Sequence, residues 1–186
     1  MNHALRSAVH GLAVCVATLC LSARAQAGEA AHVHGLMHID IAVDKQLLLV
    51  QLESPLDGLL GFERRPRTPA ERQAADALLE RMGDAATLFK PDAAALCVLK
   101  KASIESAVLQ STTRAAGKDA DRKSEHADLD ASYEFSCTHP DKLTTMELGL
   151  FDAFKRLQKI EVQVAGARSQ SRQTLQRPDK LVKLTR

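Results

Sequence analysis

His32 and His34 are the residues whose type and spacing point most directly to chemistry. Two residues apart on a strand, their side chains share one face about 7 Å from each other. Two neutral imidazoles so placed can hold one metal ion. Zinc takes imidazole nitrogen at about 2.1 Å in a tetrahedral set that also accepts a carboxylate. His38 and Asp40 form a second, weaker pair further along. On a regular strand His38 lies about 13 Å from His34 and about 20 Å from His32, too far for one tetrahedral ion. A bend would change that, and Gly35 is the residue that would supply it. His126 and Asp128, again two apart on a polar face, are the best candidates to complete the set. His139, before Pro140, reads as a turn residue. Three histidines in seven residues also read as a solvated chain end, and spacing alone leaves both readings open.

Other chemistry is not signalled. The chain has no G-x-S-x-G, no phosphate-binding loop and no G-x-G-x-x-G. Asp128 and Asp130 read as a solvated strand face rather than a catalytic pair, so no catalysis is expected. A net charge of +2, no basic run and 3% aromatics argue against a nucleic-acid binder.

The first residues carry a different message. Arg6 precedes an apolar stretch from Gly11 to Leu21, and Ala25-Gln26-Ala27 has the A-x-A pattern. Residues 1–27 therefore read as a secretory signal peptide, too short in its apolar part to span a bilayer. Its removal from 186 residues leaves 159, with 23 basic and 23 acidic side chains and five histidines. Cys97 and Cys137 are the two cysteines that remain. In an oxidising compartment two such cysteines most simply form one disulfide. It would close a loop of 41 residues counted from Cys97 through Cys137, worth about 4 kcal/mol in chain entropy.

The elements that must position these groups follow from periodicity. Residues 33–43 alternate, with Val33, Met37, Ile39, Ile41 and Val43 on one face and the histidines on the other. A turn at 44–46 and a returning strand 47–52 make a hairpin. Pro55, Gly58, Gly61 and Pro66 mark a loop whose Leu59, Leu60 and Phe62 tuck against the core. Thr68, Pro69 and Glu71 give a helix start, and the helix runs to Met82 and stops at Gly83. Ala70, Ala74, Ala77, Leu78 and Met82 suit its packing face. Further strands are expected at 95–104, 127–137, 143–148, 159–165, 171–175 and 181–184, with a helical turn at 151–157. The polar segment 108–126 is a surface loop. If Cys97 pairs with Cys137, antiparallel register sets Ile104 beside Asp130. The expected fold is α+β: a single domain (28–186) with a largely antiparallel sheet of about seven strands, one main helix and one disulfide.

The chain resembles the ZrgA-type zinc-regulated periplasmic proteins. The resemblance rests on AHVHGLMHIDIAVD (31–44), LESPLDGLLGFERRPRTPAERQA (52–74), LFKPDAAALC (88–97), EHADLDASYEFSC (125–137) and LGLFDAFKRLQKIEVQVAG (148–166). It implies a periplasmic protein that binds Zn2+ and assists zinc acquisition beside an ABC-type importer. The family's ligands would correspond to His32, His34, His126 and Asp128, with His38 matching a histidine found in only part of the family. Many members carry a long loop rich in His and Asp where this chain has TTRAAGKDADRKSEH. Here the loop is short and holds Lys118, Arg122 and Lys123. One ordered zinc site built on the strands is therefore expected, rather than high-capacity storage. The alternative is a metal-independent envelope module that uses 55–67, with Leu59, Leu60 and Phe62 beside Arg64, Arg65 and Arg67, to contact a membrane or transporter partner.

Overall fold

Alternation of apolar and polar side chains builds the larger of two sheets. The computed structural model describes residues 35–109, 127–167 and 169–184. Strands β1 (Leu36–Asp44) and β2 (Leu47–Pro55) form a hairpin, with Lys45 at φ 51° in its turn. Met37, Ile39 and Ile41 point inward and are at most 1% exposed, while His38 and Asp40 point outward. Strand β5 (Asp128–Cys137) alternates in the same way: Leu129, Ala131, Tyr133, Phe135 and Cys137 are buried, and the intervening polar residues share the opposite face.

The connections add helices. After α1 (Leu56–Leu60) comes α2 (Pro69–Gly83), then α3 (Ala85–Leu88), β3 (Phe89–Pro91) and β4 (Cys97–Glu105). After β5 the chain continues through β6 (Thr145–Leu148), α4 (Leu150–Ala153), β7 (Lys159–Gly166), β8 (Gln170–Gln176) and β9 (Leu181–Lys183). The large sheet has the order β4-β5-β2-β1-β7-β8, and the small one β3-β6-β9. All pairs are antiparallel except β1 with β7. This is the expected α+β class. Nine strands lie among the described residues against about seven expected. Phe89–Pro91 is the described strand left unassigned from sequence.

Inward residues of the large sheet join residues of the helices and the small sheet in one apolar cluster. Tyr133 ties the layers together. Its hydroxyl donates to the Met82 carbonyl at 2.6 Å, and its ring lies 4.7 Å from that of Phe89. Burial removes the phenolate's solvation and pushes the Tyr133 pKa up.

The start of α2 follows the expected chemistry. Thr68 Oγ1 accepts from Glu71 N at 3.1 Å, and Glu71 Oε2 accepts from Thr68 N at 3.2 Å. Arg64 adds a bidentate pair to Glu71 at 3.0 and 2.7 Å, which holds that carboxyl at about 2. The packing face is Ala75, Leu78 and Met82; Ala70 and Ala74 are exposed, because the helix is turned slightly from the expected face.

Cys97 and Cys137 are disulfide-bonded and directly paired in the ladder. The register beyond them is one residue off the expectation. Ile104 pairs with Ala131, and Glu105 takes the place beside Asp130. A bulge between Leu99 and Lys101 supplies the extra residue. A bulge sets two residues against one, so every later partner slips by one.

Candidate metal centre

The chain around the candidate ligands is fixed by two close approaches of backbone. Gly35 has φ 72°, and a Cβ on it would lie 2.9 Å from the Arg156 carbonyl oxygen. Its own carbonyl accepts from Gln158 N at 2.8 Å and Lys159 N at 3.0 Å. Only glycine meets both conditions without strain. The chain therefore turns at Gly35, and the first described strand begins at Leu36; residues 33 and 34 of the expected strand lie outside the described residues. Spacings measured along a regular strand do not carry across that turn.

Helix α1 holds the second approach. A Cβ on Gly58 would lie 3.3 Å from Gly35 Cα and 3.5 Å from Gly35 N. Two residues earlier, Leu56 N donates to the Ala127 carbonyl at 2.9 Å. One short helix thus fixes the residue that follows His34 and the residue that follows His126. His32, His34 and His126 themselves lie outside the described residues.

The described candidates do not converge. Asp128 opens β5 and pairs with Pro55 of β2. His38 pairs with Glu53, which pairs on its other side with Asp130. His38 is thus level with Asp130, two residues past Asp128, with β2 between. Strand spacing and rise put His38 and Asp128 roughly 12 Å apart at Cα. Its side chain is 52% exposed, and Nδ1 lies 3.6 Å from Glu161 Oε2. Asp40 lies one level further along the same face. Among the described residues no group of three or more His, Cys, Asp or Glu is arranged to hold a metal ion.

Register reveals a feature that the sequence reading misses. Glu105, Asp130, Glu53, His38 and Glu161 occupy one level across five adjacent strands, β4, β5, β2, β1 and β7. His38, Glu53, Glu105 and Asp130 line an open depression of about 340 Å³ on the outer face. Loss of solvation, then the Asp128 and Glu105 carboxylates, push the Asp130 carboxyl up. Glu161 is instead held down, chiefly by a hydrogen bond from Lys159 Nζ at 2.7 Å. Alternation alone places each residue on the outer face. Bringing them to one level requires the strand order and the bulge.

A family model of the ZrgA family zinc uptake protein matches residues 31–184. The chain belongs to the ZrgA zinc uptake family. The match spans every described strand and includes His32, His34, His38, His126 and Asp128. No curated protein matches the chain. A role in zinc uptake follows from membership. Within this ZrgA family member, Leu56 is fully buried and Leu59 and Leu60 pack on the core, while Gly61, Glu63, Arg65 and Arg67 are exposed and the Arg64 guanidinium sits 5.1 Å over the Phe62 ring. No helix among the described residues is long and apolar enough to cross a membrane.

Proposed function

We propose that this protein is an exported zinc carrier of the periplasm, which binds Zn2+ reversibly and passes it towards an ABC-type importer without catalysing a reaction. Its zinc ligands are His32, His34 and His126, with Asp128 as the carboxylate; His38 stands apart at the next level. The observation that carries this reading is the double attachment to α1, through Gly58 on Gly35 and Leu56 on Ala127. It brings Gly35 and Ala127, the residues that follow His34 and His126 in the sequence, to one short helix. Zinc fits that donor set because it accepts neutral imidazole together with one carboxylate. The disulfide suits an oxidising compartment, and the signal-peptide pattern of residues 1–27, outside the described residues, suits export.

Thermal melting of the mature protein with and without Zn2+ tests the reading. A ligand that binds only the folded state stabilises it by about 2.7 kcal/mol at 100 times its dissociation constant. A rise of several degrees in Tm is expected. An unchanged Tm at high micromolar zinc contradicts zinc carriage and favours a metal-independent module.

A further inference from the structure

His38 is oriented by contacts that run from β1 to β7. Its Nδ1 lies 3.6 Å from Glu161 Oε2. The other oxygen of that carboxylate, Oε1, accepts from Lys159 Nζ at 2.7 Å. Lys159 thus pins Glu161 by one oxygen and leaves the second to the imidazole. A neutral imidazole carries one N–H, and a carboxylate beside Nδ1 draws it there. The free lone pair is then on Nε2. On its other flank His38 is paired with Glu53 of β2, and both line the open depression of about 340 Å³ on the outer face. The ordinary reading is a solvated ion pair on a strand face. That reading explains the attraction of His38 to Glu161, but not why a second carboxylate lines the same depression on the opposite side of the ring.

A metal-bound imidazole usually donates its second ring N–H to a carboxylate, which fixes the tautomer and the ring plane. His38 has that arrangement already. Directly opposed residues of antiparallel strands have Cβ atoms about 4.5–5.5 Å apart. An imidazole and a carboxylate so placed can share one ion with bonds of about 2.1 Å. We propose that His38 and Glu53 form a second, weak Zn2+ site, with His38 Nε2 and the Glu53 carboxylate as donors, water completing the set and Glu161 as its positioning residue. Among the described residues no group of three or more donors could hold an ion. Two protein donors make a weaker site, which fills only above the zinc concentration that saturates the His32, His34 and His126 set. The inference deepens the reading of zinc carriage. A site that loads and empties readily, one level from Asp128 on the same face, suits exchange rather than storage.

In mature protein carrying His32→Ala/His34→Ala/His126→Ala, the imidazoles left are His38 and His139. Nitrogen NMR of the two rings during titration with Zn2+ alone reads the site. Before zinc, His38 is expected mainly as the Nδ1–H tautomer. Zinc should move its Nε2 resonance and leave His139, in the turn after β5, unmoved. Glu161→Ala is expected to raise the zinc concentration at half-change by about 10-fold and to mix the tautomers. Glu161→Gln, which keeps a neutral acceptor, recovers part of both. Glu53→Gln weakens zinc several-fold with the tautomer unchanged. If the triple variant does not fold, wild type already loaded with one equivalent of Zn2+ carries the same titration. A His38 signal that moves no more than that of His139 at millimolar zinc overturns the inference. So does a midpoint and tautomer unchanged in Glu161→Ala. Tight zinc binding by wild type leaves zinc carriage intact in both cases. Absence of tight binding by wild type overturns carriage by His32, His34 and His126 instead, and a zinc-dependent His38 shift in that protein still supports the second site.

Discussion

At one end of β5, Cys137 is bonded to Cys97 and its amide donates to the Gln46 carbonyl at 2.8 Å. At the other end, Ala127 accepts a hydrogen bond from Leu56 of α1, and Asp130 pairs with Glu53 and Glu105 on its two sides. The stapled end is covalently fixed and loses few degrees of freedom on folding. The carboxylate end gathers like charges that cost stability unless something positive joins them. Loss of solvation, and after it the Asp128 and Glu105 carboxylates, raises the Asp130 pKa.

Changes at the two ends should therefore separate stability from zinc binding. The largest stability effect is expected from Cys97→Ala/Cys137→Ala, which removes about 4 kcal/mol by freeing the loop in the unfolded chain. Chemical denaturation measures it, and zinc affinity of the folded variant should change less than about threefold if the ends are independent. A large loss of affinity would merge the two regions into one. Next comes Gly35→Ala, costing about 2 kcal/mol through the φ of 72° and the Arg156 carbonyl. It should weaken zinc as well, since it displaces the residue next to His34. Normal affinity in that variant would detach the turn from the site.

A smaller effect concerns pH on the frame. Asp92 Oδ2 accepts from Thr144 N at 2.8 Å and Thr145 N at 2.7 Å, and both threonine hydroxyls also donate to this carboxylate. The Thr144 side chain is the largest cause, and the carboxyl is held at about 2. A folded pKa below the unfolded 3.8 means stability present above about 4 and lost as pH falls towards 2. Asp92→Asn should flatten that part of the stability–pH curve and cost about 1 kcal/mol at neutral pH. An unaltered acid limb would remove Asp92 from the frame. The smallest effect has the opposite sign. Asp130 has a raised pKa, so its ionisation opposes folding, and stability gains as pH drops through that pKa. Asp130→Asn should stabilise the zinc-free protein by about 0.5 kcal/mol. A destabilised variant would show that the carboxylate row is not under strain of like charge.

Much of the frame is legible in the sequence because it depends on local pattern. The faces of β1 and β5, the Thr68 cap, the stop of α2 at Gly83 and the Cys97–Cys137 pair all follow from alternation, capping chemistry or cysteine count. The carboxylate end is less legible because it depends on register. One extra residue near Lys100 moved Glu105, not Ile104, beside Asp130. Parity alone did not reveal the turn at Gly35, nor that His38 lies level with Asp130 rather than Asp128.

The central claim is that zinc is held at the histidine-bearing end of the sheet. Calorimetry of Zn2+ binding to mature wild type and to His32→Ala/His34→Ala tests it most directly. The account predicts about one zinc per chain in wild type and an affinity lowered by more than about 100-fold in the double variant, since two ligands of a tetrahedral set are gone. Equal affinity in the two proteins would contradict it.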